Sequence, residues 1–145
     1  MLRNELVDLT ENSKPFGVKG IGNFWPLEKT NKREIFYVQF FDIPPHYHET
    51  TTEELLILKG RGKITYGPQV HEPIFSLDSK GKKTSKWEDR NLSDTVGISP
   101  DSETFIIPPY TPHQMTLEKG FAYLGAILLC KPPLNPKDEI NLRAR

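Results

Sequence analysis

Cysteine, net charge and long apolar runs are all scarce in this sequence, and each scarcity excludes a class of protein. The one cysteine, Cys130, excludes an internal disulfide and favours a reducing compartment. Lysine plus arginine and aspartate plus glutamate both number 19, so no net field attracts nucleic acid or an acidic membrane. No apolar stretch approaches the roughly 20 residues that a membrane span needs. We therefore expect a cytoplasmic protein with neither a nucleic-acid nor a membrane partner.

Short strand-like runs separated by turn residues dominate what is present. The 145 residues are 36% hydrophobic and 26% charged, which predicts one ordered domain over 1–145. Thirteen prolines and ten glycines lie between runs of aromatic and β-branched residues that show no helical period. This pattern predicts an all-β sandwich or barrel. We expect helical turns only near the ends, at residues 4–9 and, after a cap at Asn135 and Pro136, at residues 137–143.

Residues 76–103 interrupt the strand pattern with a polar, charged stretch that is poor in aliphatic residues. One interpretation is an exposed hairpin or long loop with a solvated lysine run. The alternative is a lid, in which Lys82, Lys83 or Lys86 meets an anionic substrate and Trp87 anchors the loop. Both interpretations remain open from the sequence.

A pair of histidines followed by acids is the most informative feature of the chain. His46 and His48 lie two residues apart, so their imidazoles point to the same face of an extended strand. The apolar run from Leu55 to Leu58 ends before Gly60 and predicts a buried strand leading into a turn. Two imidazoles and a carboxylate that converge from adjacent strands form half of a divalent metal site.

A second informative stretch covers residues 104–114, where a strand runs into a proline-rich turn and His113 opens the next strand. Together the two stretches resemble the motifs of the cupins, which are small jelly-roll (double-stranded β-helix) barrels. The first cupin motif, G-x5-H-x-H-x3-4-E-x6-G, is matched here by His46, His48, Glu53 and Gly60. The second, G-x5-P-x-G-x2-H-x3-N, is matched by Pro108 and His113.

The sequence departs from these motifs at turn and packing positions. Phe40 stands where the first motif opens with glycine, and Leu117 stands at the asparagine of the second. Ser102 and Tyr110 replace the two glycines of the second motif. These changes bear on local loop shape rather than on metal ligation.

The resemblance implies an all-β cupin jelly-roll barrel, with a polar insertion at about 76–103. It also implies one divalent metal ion, iron, manganese, nickel or zinc, bound by His46, His48, Glu53 and His113. Glu54 competes with Glu53 for the carboxylate position because strand alternation sends only one of them inward, and the motif spacing favours Glu53. His71 matches no motif position and is interpreted as a structural or surface histidine.

The resemblance further implies a metal-dependent enzyme that acts on a small polar organic substrate, and the first hypothesis is a dioxygenase. The alternatives are a redox-neutral isomerase or epimerase of a sugar or sugar phosphate, and a module that only binds a small molecule. The resemblance also implies a homodimer. Tyr37 and Gln39, which share a strand face, and Tyr110 are candidates for substrate binding; the alternative places them on the barrel surface or in a surface turn.

Overall fold

Two β-sheets that pack against each other make up most of the structure. The computed structural model describes residues 3–18, 20–70, 76–86 and 92–143. In chain order the elements are α1 (Arg3–Asn12), β1 (Phe16–Val18), β2 (Gly22–Lys29), β3 (Glu34–Phe40), β4 (Ile43–His48), β5 (Thr52–Lys59), β6 (Gly62–Tyr66), β7 (Ser76–Leu77), β8 (Lys83–Lys86), β9 (Asp94–Ile98), β10 (Phe105–Ile107), β11 (His113–Leu117), β12 (Leu124–Lys131), a 3-10 turn (Pro136–Asp138) and β13 (Glu139–Arg143).

The strand order is that of a jelly roll. One sheet has the order β1-β2-β3-β12-β5-β10, and the other has the order β7-β8-β13-β4-β11-β6-β9. Neighbouring strands are antiparallel except β8 and β13, which pair in parallel. The prediction of an all-β jelly roll is confirmed. Among the described residues, no helix has the length and apolar character that a bilayer span requires.

Two-residue alternation places the apolar core between the sheets. On β3, Phe36, Val38 and Phe40 are buried in this core, and on β12 the buried partners include Leu124 and Leu128. Each such side chain contributes about 1.5–3 kcal/mol by leaving water. The same alternation on β5 puts Glu53 on the inward face with Leu55 and Ile57, so a carboxylate joins the row of core residues.

The predicted C-terminal helix is wrong. Asn135 does cap a turn, since its Oδ1 accepts a hydrogen bond from the Lys137 backbone N–H at 3.0 Å, but this 3-10 turn ends at Asp138. The chain then continues as β13, where Ile140 and Leu142 alternate into a buried apolar cluster with Tyr47. That two-residue alternation favours a strand over a helix. At the other end, α1 covers Arg3–Asn12 and is longer than the predicted turn at residues 4–9.

The polar insertion contains a hairpin, which is one of the forms that the sequence left open. β7 and β8 form a hairpin at the edge of the seven-stranded sheet, and β9 pairs with β6. Asp78 closes the hairpin, because its Oδ1 accepts hydrogen bonds from the backbone N–H groups of Lys80 and Lys82. Trp87 and His71 lie outside the described residues, as do the side chains of Lys83 and Lys86.

The outer face of the six-stranded sheet carries exposed apolar side chains. Leu56 on β5 is 41% exposed and Ile106 on the neighbouring edge strand β10 is 55% exposed. The structure contains a single chain, so the homodimer stays a prediction.

Gly60, the last residue of the first motif, occupies a position where the backbone requires glycine. Its φ is +90°, and a Cβ built there would lie 2.7 Å from the Tyr123 carbonyl oxygen. Gly120 has a similar φ of +98°, but a Cβ there would meet nothing within 4 Å. The two glycines therefore separate backbone strain from steric overlap.

We predict that Gly60→Ala destabilises the fold more than Gly120→Ala. Both variants carry the left-handed backbone cost of about 1–2 kcal/mol. Only Gly60→Ala adds a clash with backbone, which costs about a further 1–3 kcal/mol. Urea unfolding monitored by circular dichroism measures the difference. Equal losses of unfolding free energy in the two variants would contradict the close packing of Gly60 against the β12 segment.

Candidate metal centre

Four buried side chains from three strands converge between the two sheets. His46 and His48 extend from β4 and His113 from β11, all in the seven-stranded sheet, while Glu53 extends from β5 in the other sheet. His113 and His46 are directly paired across the strands. One ligand atom from each of the four residues lies within 4.8 Å of the others. The site therefore joins the two sheets at one point.

Backbone carbonyls orient two of the imidazoles. His46 Nδ1 lies 2.8 Å from the Pro44 carbonyl oxygen, and His113 Nδ1 lies 2.8 Å from the Thr111 carbonyl oxygen. A carbonyl oxygen only accepts, so each Nδ1 must carry the proton and donate. In a neutral ring this fixes the tautomer and leaves the lone pair of Nε2 directed toward the cluster.

The Glu53 carboxylate lies at the meeting point of these rings. Its Oε1 is 3.1 Å from His48 Nε2 and 3.5 Å from His113 Nε2. Oε1 is nevertheless buried with no aligned hydrogen-bond partner among the described residues. Burial acts to raise the pKa of Glu53, but contact with His113 and His48 outweighs it and holds the pKa well below its usual value. The carboxylate is thus anionic and lacks a full set of partners.

The imidazoles differ in how readily they bind a proton. Burial, with the neighbouring His113 and His48 rings, lowers the pKa of His46 to about 3, so this ring is neutral at neutral pH. Burial also opposes protonation of His48, but its contact with Glu53 outweighs this and raises the pKa of His48. The Glu53 carboxylate therefore favours the protonated form of His48, whereas the His46 ring stays neutral.

The donor set fits one divalent cation. Neutral imidazole nitrogens and a carboxylate oxygen are ligands that iron, manganese, nickel and zinc accept. Two ligands of one such ion lie at most about 4.4 Å apart, which is twice the bond length of roughly 2.2 Å. The observed cluster within 4.8 Å needs only a slight contraction to meet that limit. The buried Glu53 Oε1, which lacks an aligned donor, is the atom that a cation would satisfy.

Asp138 lies outside the cluster and stabilises the turn that precedes Glu53. Its carboxylate accepts hydrogen bonds from the Thr50 backbone N–H at 2.6 Å, the Thr50 hydroxyl at 2.8 Å and the Thr51 backbone N–H at 3.1 Å. Its Oδ2 also lies 3.7 Å from His48 Nδ1. Asp138 therefore holds the turn between β4 and β5, and with it the spacing between His48 and Glu53.

Glu139 is a site residue that the sequence analysis missed. It lies on β13 directly across from His48, and its Oε1 is 3.6 Å from His46 Nε2. Burial raises the pKa of this carboxyl above its usual value. The alternation of Glu139, Ile140 and Leu142 was the available signal, because it predicts a strand with Glu139 on the face opposite the two apolar residues.

A cavity of about 310 Å³ opens onto the cluster. Beside the four clustered residues, its polar lining consists of Lys82, Asn135 and Glu139. Its remaining described lining is apolar and consists of Phe16, Val18, Ile21, Phe24, Phe40, Ile43, Leu55, Ile64, Ile107, Met115, Leu128 and Leu134. Lys82 is one of the three lysines that the lid hypothesis names, and it lines the cavity. Contact of Lys82 with an anionic substrate stays a prediction.

The candidates for substrate binding do not line this cavity and take the outward positions that were their alternative. A role in substrate binding stays a prediction. Tyr37 and Gln39 point to the outer side of β3, where Tyr37 packs on Trp25 and accepts a hydrogen bond from Gln39 at 3.3 Å. Strand alternation sends Phe36, Val38 and Phe40 inward instead. Tyr110 packs against Tyr47 on the outside of the seven-stranded sheet.

Tyr110 nonetheless preserves the turn that the motif glycine would make. Its φ is +59°, in the left-handed region that favours glycine. Its backbone N–H donates to the His48 carbonyl oxygen at 2.7 Å, which holds the turn next to the metal-site strand. The substitution of glycine by tyrosine therefore leaves the loop shape intact.

The structure separates the two competing glutamates. Glu53 is 8% exposed and belongs to the cluster. Glu54 points outward, where its carboxylate lies 3.2 Å from Lys131 Nζ. This is the orientation that the motif spacing favours.

Comparison with known proteins supports the fold. The sequence matches no protein-family model and no curated protein. KdgF from Halomonas sp. is similar in structure with a TM-score of 0.59 and 16% identity, over 86% of this chain and 91% of that one. Pac13 from Streptomyces, a nucleoside dehydratase, has a TM-score of 0.60 and 15% identity, over 92% and 87%. L-ribose isomerase from Cellulomonas parahominis has a TM-score of 0.52 and 16% identity, over 70% and 50%.

The fold is that of the cupin-type jelly rolls. At these identities the likeness shows the fold alone, and the site must be judged from its own residues. Those residues form a buried cluster of three histidines and a glutamate that suits a metal ion.

We predict that Glu53→Gln weakens binding of a divalent ion, because it removes the anionic ligand. Removing a hydrogen bond that supports a metal ligand lowers metal affinity by roughly 10- to 100-fold. Removing the ligand itself should lower the affinity by more than this. Glu54→Gln is the matched control and should leave affinity unchanged. Competition titration with a fluorescent zinc chelator measures both. Unchanged affinity in Glu53→Gln, or a loss in Glu54→Gln of similar size, would reject Glu53 as the ligand.

Proposed function

We propose that this protein is a metal-dependent, redox-neutral enzyme of the isomerase, epimerase or dehydratase type, acting on a small sugar-like substrate. The observation that carries the proposal is the position of Glu139. This carboxyl lies in the cavity beside His46 and is not one of the four clustered residues. It is therefore available to move a proton.

Glu139 has the properties of a general acid or base. Its side chain is 31% exposed, so it is reachable from the cavity while remaining partly shielded from solvent. Burial raises its pKa, which brings the carboxyl closer to the range in which a proton is both taken and returned at neutral pH. Isomerisation, epimerisation and dehydration of a hydroxylated carbon all require such a proton transfer.

The cluster would hold the ion and prepare the site around it. His46, His48 and His113 would bind through Nε2, and Glu53 would supply the negative charge. When bound, the ion supplies Lewis acidity toward a carbonyl or hydroxyl oxygen. The apolar walls exclude water, which strengthens the electrostatic effect of Glu139 on a bound substrate.

The activities named for proteins of similar fold point in the same direction. One is described as a nucleoside dehydratase and another as an L-ribose isomerase. Both names describe redox-neutral reactions on sugars or sugar-containing molecules. These activities belong to those proteins, and they support a sugar-like substrate here only as an analogy of fold.

One experiment distinguishes the proposed function from a dioxygenase and from a purely binding function. The zinc-, manganese- and iron(II)-loaded protein is incubated with aldoses, ketoses, sugar phosphates and nucleosides, in air and under nitrogen, and products are followed by NMR. We expect turnover of at least one substrate at the same rate with and without oxygen. A requirement for oxygen would establish the dioxygenase instead, and absence of turnover throughout would favour a binding function.

In the same assay Glu139→Gln tests the proton-transfer role. It keeps the size of the side chain but removes its acid–base function, so kcat should fall about 10²- to 10⁴-fold while metal content is unchanged. Glu54→Gln, which changes an outward glutamate, serves as the control. An unchanged kcat in Glu139→Gln would remove Glu139 from the mechanism.

A further inference from the structure

The cavity next to the cluster is much more apolar than a free sugar requires. Its polar groups outside the cluster are few: Glu139 lies beside His46, and Asn135 and Lys82 line the same cavity. The rest of the described lining offers carbon atoms and the thioether of Met115. A hydroxyl buried against such a wall without a partner loses affinity by between about fivefold and a hundredfold.

The cavity also has more room than a small polar group fills. Its volume is about 310 Å³. An apolar protein cavity of roughly 150 Å³ already accommodates benzene. A polar head at the cluster thus leaves space for a ring or a short chain of carbon atoms.

Phe16 and Val18 extend the apolar wall to the surface. They lie two residues apart on β1, both line the cavity, and they remain 44% and 37% exposed. Phe16 stacks on Phe24, with ring centroids 5.2 Å apart and planes 13° apart. Apolar groups at the opening of a cavity offer a surface that the apolar part of a ligand can cover.

We infer that the substrate is a small amphiphile, in which a head with adjacent oxygen atoms carries an aromatic or hydrocarbon substituent that lies along the apolar wall. This inference rests on the proposed function, because it concerns the substrate of the same metal centre. It narrows the proposed sugar-like substrates to molecules that carry such a substituent, and it predicts that free sugars and sugar phosphates bind more weakly than these. The head meets the ion and Glu139, and the substituent lies against Phe16, Val18 and Phe24.

Binding of hydroxamic acids to the zinc-loaded protein tests the inference without knowledge of the reaction. Hydroxamates present two adjacent oxygen atoms to a metal, and their substituent can be varied from methyl through butyl to phenyl. Calorimetric affinity should rise roughly fourfold for each methylene added until the cavity is filled. The heat-capacity change of binding should become more negative along the series. Equal affinity across the series would overturn the inference while the metal centre stands.

Variants at the cavity opening test whether the apolar substituent of the ligand binds there. Phe16→Ala should weaken binding of benzohydroxamate by roughly threefold to tenfold and leave acetohydroxamate unaffected. Val18→Ser provides a second, smaller change on the same strand. Phe121→Ala is the control, since Phe121 is similarly exposed at 41% but does not line the cavity. Equal effects of Phe16→Ala and Phe121→Ala would also overturn the inference. Failure of acetohydroxamate to bind at all would instead reject the metal-dependent function, and this inference with it.

Discussion

The burial of the Glu53 carboxylate is the constraint on which the rest of the site depends. Removing a carboxylate from water costs several kcal/mol unless neighbouring groups compensate the charge. Here β4, β11 and β5 bring two imidazoles within 3.5 Å of one oxygen of that carboxylate, and none of the described residues gives that oxygen an aligned hydrogen bond. A divalent ion would compensate the charge fully. The cost of burying Glu53 is then part of what makes the site bind a cation.

Asp138 and Glu139, which are adjacent in the chain, have separate roles at this site: the first stabilises it and the second supplies its proposed acid–base group. Asp138 fixes the turn between β4 and β5 from outside the cluster, and the next residue, Glu139, reaches into the cavity. The 3-10 turn at Pro136–Asp138 sets this arrangement, because it ends where β13 begins to pair with β4. A change in this turn would therefore alter ligand geometry and proton transfer together.

The sequence predicted the four clustered residues because their positions depend on local periodicity and motif spacing. His46 and His48 share a face by the two-residue strand period, and Glu53 follows at the distance that one turn spans. Glu139 is not predicted as a site residue because the cap at Asn135 favours a helix over residues 137–143. In the structure, pairing of β13 with β4 makes this segment a strand instead. The direction of Tyr37 and Gln39 stayed open because alternation defines two faces of a strand without saying which one faces inward. The cavity shape depends on packing between distant strands, which no local pattern contains.

The account stands on one divalent ion held by three imidazoles and a carboxylate. X-ray absorption of the protein loaded with one equivalent of zinc tests this most directly. We expect saturation at one ion per chain, a nearest shell of nitrogen and oxygen at about 2.0–2.2 Å, and the multiple scattering of imidazole rings. Absence of tight zinc uptake, or a bound ion whose spectrum lacks imidazole scattering, would contradict the account.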